Sequence, residues 1–95
     1  MERYIAQKAQ QALEALGSAD SLPERLRLAK GHFALVATKH FLASAPPDVG
    51  DSITAFMEAD IAHDPLESSR ACQTAIESVF EAFGRQEVFP ESRAN

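Results

Sequence analysis

A single cysteine, Cys72, is all the thiol chemistry the chain possesses. No internal disulfide can form, and a secreted disulfide scaffold or a structural zinc site of several thiolates is excluded. No apolar run approaches the roughly 18 residues needed to cross a bilayer, and the stretch from Met1 to Lys8 lacks the apolar centre of a secretory signal. These absences set the expectation of a cytoplasmic protein in a reducing compartment, away from membranes. Val, Ile and Thr are sparse and scattered while alanine is abundant, so no segment reads convincingly as a strand and summed propensity favours helix. A glycine-rich phosphate loop, a serine elbow and paired carboxylates in a recognisable context are missing too. The expectation is therefore a protein that is not an enzyme and holds no cofactor or metal.

What is present is ordinary globular composition, 45% hydrophobic and 24% charged over 95 residues, which argues for a single folded domain. A chain of this length buries only roughly 60–65% of the surface its unfolded state exposes. Its core is thin, so it has much to gain from a partner.

Punctuation in the sequence predicts an all-α, antiparallel bundle of four helices over residues 1–84, followed by a mobile tail over 85–95 in which only Val88-Phe89-Pro90 could pack back. The first helix spans Glu2 to Leu16, with Ile5, Ala9, Ala12, Leu13 and Leu16 on one side and Gly17 as its stop. Ser21-Leu22-Pro23-Glu24 has the form of a capping box and opens a long second helix that continues to about Ser44, where Pro46-Pro47 ends it. The third helix begins at Asp48 or Asp51, carries Val49, Ile53, Phe56, Met57 and Ile61, and ends near His63. Asp64-Pro65-Leu66-Glu67 is the strongest start signal, and the fourth helix runs from it to Phe83, where Gly84 stops it.

The second helix carries more apolar surface than one packing face needs. Leu22, Leu26, Ala29, Phe33, Val36, Ala37, His40 and Phe41 form a broad core face. Leu28, Leu35 and Leu42 recur at heptad spacing on the opposite side, beside Gly31. Either other helices of the chain cover this second face, or it is a homodimer interface at which Gly31 permits close approach. The thin core tips the expectation to the dimer.

Charge is segregated along the chain. Between residues 22 and 47 the bases Arg25, Arg27, Lys30 and Lys39 face one acid, Glu24, whereas residues 48–95 hold ten acids against three arginines. Weak surface pairs between the two segments would explain this. Alternatively Asp51, Glu58, Glu67, Glu77 and Glu81 face outward and attract a basic partner surface, such as the nucleic-acid-binding face of another protein. Direct binding of nucleic acid is disfavoured, because an acidic chain repels phosphate.

Asp60, His63 and Asp64 share the spacing of a helical metal cluster, but no second copy accompanies them and Asp64 is better used as a cap. Asp60 and His40 both fall on apolar stripes and could pair across the core. Cys72, on an apolar face without a neighbouring base, reads as a buried hydrophobe. Lys30-Gly31 is similar to the Lys-Gly dipeptide that lies three and four residues after the phosphorylated histidine of histidine-containing phosphotransfer domains, which are four-helix bundles. Arg27 occupies the histidine's position and cannot carry a labile phosphoryl group. The resemblance, confined to that short stretch, implies at most a docking bundle without the chemistry.

Taken together, these features lead to the expectation of a small regulatory or adaptor protein that binds itself and another protein, as an inhibitor or anti-activator of a nucleic-acid-binding factor. The rivals are a bundle holding a metal or small ligand in its core, with His40, Asp60 and His63 as the residues to hold it, and a subunit of a structural assembly.

Overall fold

The computed structural model describes residues 2–84, so the tail expected over 85–95 lies outside the described residues. Among the described residues there are five helices, α1 (Glu2–Leu16), α2 (Leu22–Ala34), α3 (Lys39–Ser44), α4 (Pro47–Glu58) and α5 (Pro65–Phe83), and no strand. The all-α expectation holds, and α1 and α5 have the expected limits. Asp64 caps α5 by accepting the Glu67 N–H at 3.1 Å, and Gly84 ends it with φ of 87°, a conformation other residues resist.

The unbroken second helix to Ser44 is not formed. Its place is taken by α2, a turn over Leu35–Thr38, and the short α3, which the Thr38 hydroxyl starts by accepting the Phe41 N–H at 3.1 Å. The physical reason lies in His40. At about 100° per residue, a continuous helix would set His40 between Val36 and Phe41 on the core face, at a cost of about 1–3 kcal/mol if left unpaired. The turn lets Val36 and Phe41 both stay buried while His40 moves to solvent. Its expected pairing with Asp60 across the core does not occur.

Two smaller departures concern where helices start and stop. Ser21 adopts the extended conformation of a cap, but its hydroxyl stays in solvent and makes no capping bond. The third expected helix, here α4, starts at Pro47 rather than at an aspartate cap and stops at Glu58 instead of His63. Beyond it, the Asp60 carboxylate accepts the His63 N–H at 3.1 Å, a local side-chain bond of the capping kind that competes with a continued helix.

The core joins Ile5, Ala9 and Ala12 of α1, Leu26, Ala29 and Phe33 of α2, Val49, Ile53 and Phe56 of α4, and Cys72, Ala75, Ile76 and Val79 of α5. Phe33 and Phe56 meet edge to face at 5.9 Å and lock α2 to α4. Each of α1 and α4 packs on both α2 and α5, and α2 also packs on α5, whereas the backbones of α1 and α4 stay apart. The inner faces of α2 and α5 therefore look at each other across the middle, and their outer faces look in opposite directions. Next to this, α3 lies on α4, close enough that a Cβ at Gly50 would just meet the Leu42 carbonyl oxygen at 3.4 Å, an ordinary contact.

Candidate functional site

Two opposed surfaces stand out. The first is the outer face of α2. Leu28 is 49% exposed and Leu35 57%, and Gly31 between them has nothing within 4 Å of where a Cβ would project. Leu42 does not continue this stripe, because the turn moves it to α3, where it packs partly against the core. At the N-terminal end of the same face, Asp20, Glu24 and Arg27 surround Leu28 around a depression of about 460 Å³.

The second surface is the acidic outer ridge of α5 with the adjoining side of α4. Relative to the buried Cys72, Val79 and Ser68, the side chains of Glu67, Arg70, Glu77 and Glu81 project roughly half a turn away. Asp51 and Glu81, joined by Asp48, line a groove of about 540 Å³ between α4 and α5 whose hydroxyls come from Ser52, Thr74 and Ser78. On the other side of the ridge, Glu77 borders a smaller groove of about 400 Å³ against Leu13, Leu16 and Gly17 of the α1 end. Glu58, exposed at the C-terminal end of α4, stands two turns from Asp51, and Glu67 pairs with Arg70 at 3.0 Å. Asp51 and Glu81 are thus brought together at one groove, Glu77 one turn before Glu81 borders the other groove, and Glu58 and Glu67 stand apart.

Where the bases of residues 22–47 go was not legible from charge counting. No ion pair links them to the acidic half among the described residues; both ion pairs, Asp60 with His63 and Glu67 with Arg70, are local. Instead Arg25 Nη1 donates to the Leu16 carbonyl at 3.1 Å and Lys30 Nζ donates to the Ala59 carbonyl at 3.0 Å. These are the C-terminal ends of α1 and α4, neither of which has a base in its own last turn. Helix ends carry unsatisfied carbonyls and partial negative charge, so α2 supplies in trans the cations those ends lack. That missing terminal base was the available signal. With Arg25 and Lys30 half-buried against those ends, Arg27 is the fully exposed base of α2, and Lys39 is exposed at the start of α3.

The remaining candidates are local structure. Asp60 and His63 are exposed and joined at 2.8 Å, Asp64 is occupied as the α5 cap, and no group of three metal-binding side chains gathers among the described residues. Cys72 is buried, and desolvation pushes its thiol up to about 12, the environment of an inert thiol. Sequence reasoning did not single out Leu66 and Tyr4, large apolar side chains 67% and 41% exposed. No helix among the described residues is long and apolar enough to cross a membrane. Comparison with protein-family models, curated proteins and solved structures finds nothing that matches the chain.

Proposed function

We propose that the protein is a non-enzymatic binding module whose acidic α4/α5 surface docks a basic surface of another protein. The observation that carries this reading is the sorting of charge: Arg25 and Lys30 are half-buried and donate to carbonyls at helix ends, while Asp48, Asp51, Glu77 and Glu81 all stay in solvent without an ion-pair partner among the described residues. Asp48, Asp51 and Glu81 around one groove, with Glu77 across the ridge, repel one another, and a basic partner relieves that repulsion while being steered to the site. Basic surfaces of this kind are what nucleic-acid-binding proteins present to phosphate. A regulator seated there would act as an inhibitor or anti-activator. Binding of a ligand in the core has no comparable support, since His40, Asp60 and His63, which that reading needs inside, are exposed.

The test is affinity capture from the native host with wild type and with a Asp51→Lys, Glu77→Lys, Glu81→Lys variant, followed by binding of the purified partner. The expected result is a basic protein retained by wild type only. Its hold should weaken as the screening length falls from roughly 30 Å at 0.01 M salt to roughly 8 Å at 0.15 M. Equal retention by the reversed variant would contradict the reading.

A further inference from the structure

We propose that the outer face of α2 is the seat of an antiparallel two-fold homodimer of this chain, centred on Gly31. Three observations converge on that face. Leu28 and Leu35 stand about half exposed on either side of a glycine whose Cβ position is open. In a two-fold antiparallel pairing the two Gly31 residues meet at the axis, which lets the helices approach closely, and Leu28 of one copy lies beside Ala34 and Leu35 of the other.

The face is also polar end to end. Asp20 and Glu24 lie before Leu28, and Lys39 lies beyond Leu35 at the start of α3. Glu24 lies in the first turn of α2 and the exposed Lys39 follows the turn that ends it, so the two-fold operation brings the Glu24 end of each copy toward the end of its mate from which Lys39 follows. In the single chain Glu24 and Lys39 have no ion-pair or hydrogen-bond partner among the described residues. A second copy satisfies both, twice.

This internal balance of sign separates a copy of the chain from other occupants. An anionic membrane surface selects a face dominated by lysine and arginine around its apolar residues, and here the acids match the bases. A self-complementary face is what an isologous contact requires. Because the outer faces of α2 and α5 look in opposite directions, the dimer carries its two acidic ridges on its far sides. If those ridges dock a partner as proposed above, the dimer is bivalent and gains avidity; the dimer itself does not depend on that reading.

Sedimentation of the full chain over about 1–300 μM, a range that spans modest homodimer affinities, tests the proposal, with circular dichroism to check that each variant is folded. Wild type should associate to a dimer and Leu35→Glu should be a folded monomer. Glu24→Lys and Lys39→Glu should each weaken the dimer roughly tenfold, since every pair occurs twice, and combining them should restore it. A monomer throughout, a dimer indifferent to Leu35→Glu, or a double reversal no better than its singles would each overturn it. None of these variants touches the acidic surface, so this failure is distinct from a failure of partner binding.

Discussion

Replacing Lys30 with methionine asks directly whether α2 caps its neighbours. Methionine keeps an unbranched stem of similar reach, so packing is nearly conserved and the loss is the ammonium itself. In the native fold Nζ donates to the Ala59 carbonyl at 3.0 Å in a half-buried setting, at the end of a helix with no base of its own. A hydrogen bond from a charged donor contributes about 1.5–3 kcal/mol, less where water can substitute, and a cation at a helix C-terminus contributes about 0.3–1 kcal/mol. Lysine regains its hydration when released, so the net loss should be about 1–1.5 kcal/mol. For a domain of this size that lowers Tm by roughly 4–10 °C. Arg3→Met, which removes an exposed base without a partner among the described residues, should stay within about 0.5 kcal/mol of wild type. Urea unfolding followed by circular dichroism should show a lower midpoint with an unchanged slope for Lys30→Met. If Lys30→Met is as neutral as Arg3→Met, the capping argument fails, and with it the explanation of why Arg25 and Lys30 lie half-buried against helix ends.

Three further outcomes follow from the same geometry. Thr38→Ala removes the cap that starts α3 and should cost about 1 kcal/mol in a thermal melt, whereas Thr38→Ser, which keeps a hydroxyl, should recover most of it. At pH 8 the Cys72 thiol, pushed up to about 12 from 9.0, should react with an aromatic disulfide reagent roughly a thousandfold more slowly than in the unfolded chain; comparable rates would mean the thiol is accessible. The Asp60 carboxyl is held below 3.8, chiefly by the backbone N–H of His63 and secondarily by its imidazole. The folded pKa being the lower one, any stabilisation from Asp60 is complete above the unfolded value and fades as pH falls through the folded one. A carboxyl NMR titration should place its midpoint below 3.8, and His63→Ala should retain most of the shift because the backbone donor remains.

Element boundaries marked by proline, glycine and capping acids were readable in advance: Gly17, Asp64-Pro65 and Gly84 punctuate the fold where they punctuate the sequence. The break between α2 and α3 was not, because hydrophobic spacing from Leu22 to Phe41 continues straight through it. Only the misfit of one residue, His40, argued against a continuous helix, and a periodicity argument tolerates one misfit. Asp60 misled in the same way, by standing in an apolar stripe that ends before reaching it. On the surface, the exposure of Leu28 and Leu35 follows from their register opposite Leu26, Ala29 and Phe33. Leu42 left that register when the helix turned. Charge counting located the acidic half but not the fate of the bases, since a count along the chain does not contain the distance from Lys30 to Ala59.

Disulfide trapping at Gly31 probes the outer face of α2 most directly. Helices packed at an interaxial distance of about 8–10 Å, each with Cα atoms on a cylinder of about 2.3 Å radius, bring apposed Cα atoms to roughly 4–5 Å, within the span a disulfide bridges. A cysteine at this open position is exposed and unstrained, and the buried Cys72 does not compete for oxidation. Gly31→Cys should form a covalent dimer under mild oxidation far faster than Gln73→Cys on α5. Cross-linking no faster at Gly31 than at that control would contradict the account.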